Sequence, residues 1–369
     1  MSPRVIPFHR PSIGEAEIAA VAAVMRSGWL TTGPVTAEFE RRFGEYVEAP
    51  FAVAVNSCSS GLQLALTVLG VGPGDEVITS PMTFCSTVLA IMHAGATPVL
   101  ADVGTDGNLD PASVKSRITA RTKALLPVHL GGNPCDMTGL WSLAREHGLF
   151  VVEDAAHALG ARYGAARIGG DLRSDAVVFS FYATKSLTTG DGGMIVTHRA
   201  ELGERLRLLG YHGIAARDDW QYSVTESGFK FNLGDMQSAM GLQQLKRQKE
   251  FLTARIRCAD IYEEELAGID EIDVPSATAS WGNCWHLYRL AVPSRDEFIQ
   301  KMKRRGVSCS VHFIPIPLHP FFADAAKRAA NNCPRAMALY PRTVSLPIYP
   351  DMSADDVRYV AQCVRDVLR

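Results

Sequence analysis

Short apolar runs alternate with helix-spaced segments through the first half of the chain. Ala52–Val55, Val77–Thr79, Thr97–Asp102, Ala124–Val128, Phe150–Val152 and Ala176–Phe181 are the runs, each bounded by polar or glycine-rich turns. Runs of this length with such flanks read as buried strands. Between them lie Leu62–Leu69, Cys85–Ala94, Asp110–Ile118 and Met137–Gly148, which read as helices. The alternation over residues 52–182 predicts a mostly parallel sheet with helices on both faces, an α/β architecture. Met194–Val196 predicts a further strand. Two helices precede the series: Gly14–Arg26, with Ile18, Val21, Ala22 and Met25 at helical spacing, and Val35–Glu48. After it come a helix over Glu201–Leu209, a polar stretch over 211–227 expected to be a mobile loop near the substrate, and a helix over Met236–Glu250. From about Phe251 the pattern changes. A charged helix (Leu252–Leu266) leads to strands expected at Trp285–Val292, Val307–Phe313 and Leu346–Tyr349, with helices at Arg295–Arg305 and Ser353–Leu368. This change places a boundary between a large domain, 1–250, and a smaller C-terminal α+β domain, 251–369.

Composition narrows the function classes. The 369 residues suffice for two domains, and 47% hydrophobic with 21% charged residues is ordinary globular usage. A net charge of -2 offers no basic field for nucleic acid. No 18-residue apolar run predicts a membrane span, and MSPRVIPFHRPSIGEAE lacks the apolar centre of a signal peptide. The eight cysteines (58, 85, 135, 258, 284, 309, 333 and 363) include no C-x-x-C pair, which argues against a zinc or iron–sulfur site and against a disulfide framework. A cytoplasmic protein with reduced thiols and no resident metal is expected.

The chemistry concentrates between Leu149 and Thr197. Functional groups in open α/β sheets gather just past strand ends, and Asp154, His157, Ser180 and Lys185 fall at such ends. Lysine becomes a nucleophile when burial or neighbouring charge lowers its pKa. A lysine so placed suits pyridoxal phosphate (PLP), whose ring nitrogen needs a carboxylate partner to stay protonated. Asp154 supplies the carboxylate, His157 could bond the ring face or its phenolic oxygen, and Ser180 could donate to the phosphate. A strand-end Asp can also simply cap the next helix, and a loop Lys can simply be solvated; the four residues in this order are harder to explain that way. Upstream, Ala52–Val55 runs through Asn56-Ser-Cys-Ser-Ser-Gly61 into a helix, so the amides around Cys58 and Ser59 can hold an anion. Phe84, just past another strand end, could stack on a flat ring or be a core residue. His129, also at a strand end, reads as a hydrogen-bonded structural histidine.

D-A-A-H at 154–157 and S-F-Y-A-T-K-S-L-T-T-G-D-G-G at 180–193 resemble the signature of the DegT–DnrJ–StrS family, and the resemblance covers nearly the whole chain. The family comprises PLP-dependent aminotransferases of nucleotide-linked keto-sugars. It implies the fold-type-I, aspartate aminotransferase-like architecture, with catalytic Lys185 and Asp154, an aromatic at Phe84 against the cofactor, and glutamate as amino donor. The stretch Gly28-Trp-Leu-Thr-Thr-Gly-Pro34 resembles the family's sugar-site segment, pointing to Trp29 and Thr31. Where the family commonly reads G-Y-N-Y-R-M, this chain has Gly228-Phe-Lys-Phe-Asn-Leu233. Lys230 thereby takes the place of an asparagine that reaches the phosphate of the other subunit's cofactor, with Asn232 beside it. That variant is similar to the branch that aminates C4 of 4-keto-sugars, and it implies a homodimer with shared active sites.

Substrate contacts are expected from His212, in Gly210-Tyr-His-Gly213, and from His312 and His319 in the proline-stiffened VHFIPIPLHP. Two histidines at that spacing, without carboxylate or cysteine company, do not make a metal site. Three other readings stay open: a PLP- or PMP-dependent sugar dehydratase, in which the family replaces the lysine with histidine; a non-enzymatic regulatory protein on the same fold; and a cyclitol aminotransferase.

Overall fold

The computed structural model describes residues 4–218, 220–273, 281–322 and 333–368. Nine strands come first: β1 (Phe51–Val55), β2 (Glu76–Thr79), β3 (Thr97–Leu100), β4 (Thr122–Leu126), β5 (Phe150–Asp154), β6 (Arg162–Tyr163), β7 (Ala166–Arg167), β8 (Ala176–Ser180) and β9 (Gly193–Thr197). Seven of them form the main sheet in the order β1-β9-β8-β5-β4-β2-β3. Neighbours β3, β2, β4, β5 and β8 pair in parallel, whereas β9 runs antiparallel to both β8 and β1.

Successive side chains of a strand point to opposite faces, so a sheet covered on both sides needs near-continuous apolar strands. The β1, β8 and β9 sequences meet that demand. Val53, Val55, Val178 and Ile195 pack with Leu62 and Leu66 of the helix Cys58–Val68. The alternate residues Ala52, Ala54, Val177, Phe179, Met194 and Val196 pack on the other side with Phe39 and Phe43 of the helix Pro34–Val47.

The helix expected from Leu62 begins four residues earlier, at Cys58, because Ser57 caps it: its Oγ accepts the Ser60 amide at 3.1 Å. The polar stretch after residue 211 is a hairpin rather than a loop, with β10 (Ile214–Asp218) antiparallel to β11 (Gln221–Val224). After β12 (Trp281–Gly282), the last two strands, β13 (Tyr288–Ala291) and β14 (Thr343–Leu346), pair antiparallel. The strand expected at Leu346–Tyr349 thus ends where it was to begin, since Pro347 has no amide to continue a ladder. The strand expected at Val307–Phe313 is reduced to single bridges, Val307 to Ile6 and Ser310 to Ser345.

A separate apolar cluster joins Tyr262 of the helix Gln248–Leu266, Tyr288 and Leu290 of β13, Val344 and Leu346 of β14, and Val357, Val360 and Val364 of the helix Ala354–Leu368. Ile6 also packs there, its amide donating to the Gly306 carbonyl at 2.8 Å. Among the described residues no helix is long and apolar enough to cross a membrane.

Candidate active site

The C-terminal ends of β1, β2, β5 and β8 open onto one cavity of about 580 Å³. Its walls carry Cys58 and Ser59 after β1, Phe84 after β2, Asp154 at the end of β5 with His157 beyond it, and Ser180 at the end of β8 with Lys185 beyond it. His312, from the far part of the chain, closes the same space.

Asp154 is 4% exposed. Its Oδ2 accepts the Thr87 hydroxyl at 2.8 Å, and its Oδ1 accepts the Ala156 amide at 3.1 Å and faces the Cys58 thiol at 3.9 Å. Burial raises this carboxyl above its ordinary value, opposed by the Thr87 and Ala156 hydrogen bonds and by the charge of Lys185. Lys185 shows the complementary effect. Burial lowers its ammonium to about 8, against the pull of Cys58 and Asp154. An amine at that value keeps a minor neutral fraction near physiological pH, far larger than an ordinary lysine's, and that fraction can act as a nucleophile or base. The Cys58 thiol is pushed up by burial and by Asp154, so it stays protonated.

His157 is fixed as a neutral ring. The Gly131 amide donates to its Nδ1 at 3.2 Å, which leaves the proton on Nε2. Burial first, and then Lys185, hold its pKa well below the usual histidine value. The ring stacks on Phe313 at 5.7 Å and lies 4.4 Å from the His286 ring. Phe84 is 59% exposed and tilts toward Phe313 at 6.1 Å, so it is not a core residue. Cys58 and Ser59 are the first two residues of an eleven-residue helix, where backbone amides have no carbonyl one turn back and favour an anion.

The remaining predicted residues lie away from these walls within the chain. Trp29 is 57% exposed and donates Nε1 to the Thr32 carbonyl at 3.2 Å; the exposed Thr31 accepts the Asp235 amide at 3.3 Å. Lys230 holds its Nζ 4.4 Å over the Tyr211 ring, and Asn232 donates to the Thr32 hydroxyl at 2.5 Å while its buried Oδ1 has no partner. His212 is exposed at φ +62° beside Tyr211, and His319 is half-buried, its carbonyl taken by the Phe322 amide at 2.9 Å. His129 is structural, as its position suggested: it is fully buried, bonded through Nε2 to Glu153 at 2.7 Å and through Nδ1 to the Cys135 amide at 3.1 Å.

Sequence reading missed three contributors. Thr87 sits inside a helix with nothing to mark its bond to Asp154. His286 comes from the apolar WHLYRLAV run and His9 from the proline-rich start, yet both line the cavity. His286 Nδ1 and His9 Nε2 are buried without a partner. Burial lowers His9 to about 4 and His312 to about 3, and takes His286 well below its usual value.

A carboxylate, a buried lysine, a flat imidazole and a helix N-terminus around one cavity are the groups that hold PLP. Comparison with known proteins points to the same cofactor. The DegT/DnrJ/EryC1/StrS aminotransferase family profile matches residues 11–365. The chain belongs to this family. It is 43% identical to the spore coat polysaccharide biosynthesis protein SpsC of Bacillus subtilis, over 99% of this chain and 97% of that protein. Among solved structures, Streptococcus pneumoniae Spr1654 in its PLP form superposes with a TM-score of 0.92 at 33% identity, over 99% of each chain. Helicobacter pylori PseC, an aminotransferase involved in the biosynthesis of pseudoaminic acid, gives 0.92 at 28% identity over 99% of each chain. S. venezuelae DesV gives 0.91 at 39% identity, over 96% of this chain and 94% of that one. The protein is therefore a PLP-dependent sugar aminotransferase of fold-type-I architecture, a reading that Lys185 and Asp154 on one cavity support chemically. Among the described residues no cluster of His, Cys, Asp and Glu could hold a metal ion.

Proposed function

We propose that this aminotransferase moves an amino group from glutamate to C4 of a nucleotide-linked 4-keto-sugar, a 4-keto-6-deoxyhexose or a 4-keto-pentose, in a homodimer with shared active sites. The observation that carries the reading is the shared chamber of Lys185 and Asp154, one with its pKa lowered by burial and the other raised by it. When bound, PLP supplies an electron sink for the carbon that loses its proton. Asp154 would pair with the cofactor's ring nitrogen and keep it protonated. Lys185 would carry the cofactor through Nζ, and the same amine, when free, would hold and move the proton that leaves the amino acid Cα. His157 and Phe84 hold the ring, and the Cys58 and Ser59 amides with the Ser180 hydroxyl hold the phosphate. Lys230 and Asn232 serve the cofactor of a second copy, while Trp29, Thr31, His212, His312 and His319 contact the sugar.

The C4 assignment is supported by the Lys230–Asn232 variant of the family motif. The dimer is supported by exposed apolar side chains on the same molecule, among them Trp29, Leu30, Tyr182, Trp220 and Tyr222. A division of the chain near residue 250 is supported by the separate C-terminal core. A cytoplasmic location is supported by eight free cysteines. The names of SpsC and PseC suggest that the amino sugar enters a surface polysaccharide or a related sugar acid.

Incubation with UDP- and dTDP-4-keto and 3-keto sugars plus glutamate, followed by mass spectrometry, tests the reading. An amino sugar at C4 with loss of glutamate to its 2-oxo acid is the expected product. Amination at C3 alone would overturn the regiochemistry, and a deoxygenated sugar without nitrogen would assign the chain to the dehydratases.

A further inference from the structure

A second cavity, about 540 Å³, shares only Leu287 with the lining of the Lys185 chamber. Its charge centre is Arg289. In β13 the alternate residues Tyr288 and Leu290 enter the C-terminal core, which turns Arg289 toward the loops at 104–108 and 130–133. Two glycines let the guanidinium approach those loops: a Cβ on Gly107 would stand 2.8 Å from its Nη1, and one on Gly131 3.4 Å from its Nε. Its hydrogen bond goes to the main-chain carbonyl of Asp106, and among the described residues no carboxylate pairs with it. A half-buried guanidinium without a carboxylate keeps donors free for a ligand.

A second group in the same wall is also unfinished. Asn133 is 6% exposed and donates Nδ2 to the Asp106 carboxylate at 3.3 Å, but its buried Oδ1 has no partner. Buried acceptors in native proteins are almost always paired, so this atom calls for an N–H or O–H donor. Asp106 touches both groups, its carbonyl at Arg289 and its side chain at Asn133 and Asn108. The other lining carboxylate, Asp273, is paired with Arg342 at 3.2 Å, and the lining cation Arg335 with Asp110 at 2.8 Å. Arg289 therefore faces the space beside an anion and an unsatisfied acceptor. A bare anion would meet Asp106, and a bare cation would meet Arg289; a dipolar ion suits both.

We propose that this second cavity binds a free α-amino acid, its carboxylate on Arg289 and its ammonium on Asn133 Oδ1 and the Asp106 carboxylate. The volume lies within the range of small-molecule sites. The site is distinct from the chamber where the amino group is exchanged, yet it touches that chamber's support. Gly131, against Arg289 on one side, donates its amide to His157 Nδ1 on the other.

The test uses holoenzyme reduced with borohydride, so that the cofactor is fixed on Lys185 and no turnover occurs. Titration calorimetry with L-glutamate, 2-oxoglutarate and inorganic phosphate reads binding directly. Glutamate is expected to bind one per chain, at least about tenfold tighter than either anion, the worth of one hydrogen bond to a charged group. Arg289→Met is expected to abolish saturable binding and Arg289→Lys to retain part of it, while both keep the cofactor absorbance that reports an intact fold. Asp106→Asn is expected to weaken glutamate and strengthen phosphate, an inversion that a merely structural role would not produce. Absence of saturable glutamate binding, equal affinity for phosphate and glutamate, binding in Arg289→Met within about twofold of wild type, or no inversion in Asp106→Asn would each overturn the proposal.

Discussion

Thr87 donates its hydroxyl to Asp154 Oδ2 at 2.8 Å, and is itself in contact with the Thr83 hydroxyl at 2.7 Å. The bond lowers a carboxyl that burial raises, so it favours the ionised form that a protonated cofactor ring needs. Thr87→Val keeps the shape and removes the donor. The carboxyl then rises further, its charged form becomes scarcer near neutral pH, and PLP affinity drops by about tenfold, as for loss of one charged hydrogen bond. Absorbance titration of the apoenzyme with PLP measures this. Thr87→Ser restores the donor and is expected to restore affinity; a valine variant that binds PLP as tightly as wild type would refute the role.

Lys185 gives a pH prediction with a definite sign. Its pKa is lowered from 10.5 to about 8, with burial the first cause. Below that value the side chain is an ammonium and has no lone pair to attack the cofactor aldehyde. The rate of PLP uptake by the apoenzyme is expected to fall by roughly tenfold per pH unit below 8 and to level off above it. Rapid-mixing absorbance at the band near the edge of the visible follows the reaction. Lys185→Ala should show no such band at any pH; survival of the band in that variant would remove Lys185 from the chemistry.

These two residues mark how far the sequence could be read. Asp154, His157, Ser180 and Lys185 were legible because each follows a short apolar run, and strand ends of an α/β sheet converge on one edge. Thr87 was not, because its role depends on the separation of β2 from β5, with β4 between them. His9 and His286 reach the chamber from segments far apart in the chain, and no local period records such a meeting. Lys230 and Asn232 were flagged by a family motif alone, and within one chain they face Tyr211 and Thr32 rather than the Lys185 chamber. The hairpin over 214–224 escaped notice because Gln221–Val224 is only four residues long and exposed throughout, so its polar–apolar alternation marks no buried face.

Gly61 links packing to cofactor binding. It lies in the first turns of the helix Cys58–Val68, where a Cβ would stand 2.7 Å from Val178 Cγ1, 3.2 Å from Val55 Cγ2 and 3.3 Å from Ile195 Cγ1. All three neighbours are buried in the sheet, so the helix rather than the sheet must yield. Gly61→Ala is expected to cost about 1–3 kcal/mol of stability by overpacking, despite alanine's better helix propensity. The displaced helix would carry the Cys58 and Ser59 amides away from the position proposed for the phosphate, so PLP affinity should fall as well. Denaturant unfolding and PLP titration give the two readouts. An alanine variant with wild-type values in both would show that the sheet accommodates the methyl group.

His129 ties a buried network that lies behind the chamber rather than in it. Its Nε2–H donates to Glu153 Oε2 at 2.7 Å, and its Nδ1 accepts the Cys135 amide at 3.1 Å. Ser174 donates to the other Glu153 oxygen and accepts Trp141 Nε1 at 2.8 Å. With His129 fully buried and Glu153 2% exposed, water cannot replace a lost partner. His129→Leu strips one carboxylate oxygen of its donor and leaves the Cys135 amide unpaired, which is expected to cost about 3–5 kcal/mol. His129→Gln can still donate and accept and should recover part of that loss. Because His129 touches neither Lys185 nor the helix at Cys58, the variants that fold should keep the Lys185 pH profile even as their denaturation midpoints fall. A leucine variant within about 1 kcal/mol of wild type would mean that Glu153 finds another donor, since the loss of one buried partner alone exceeds that margin.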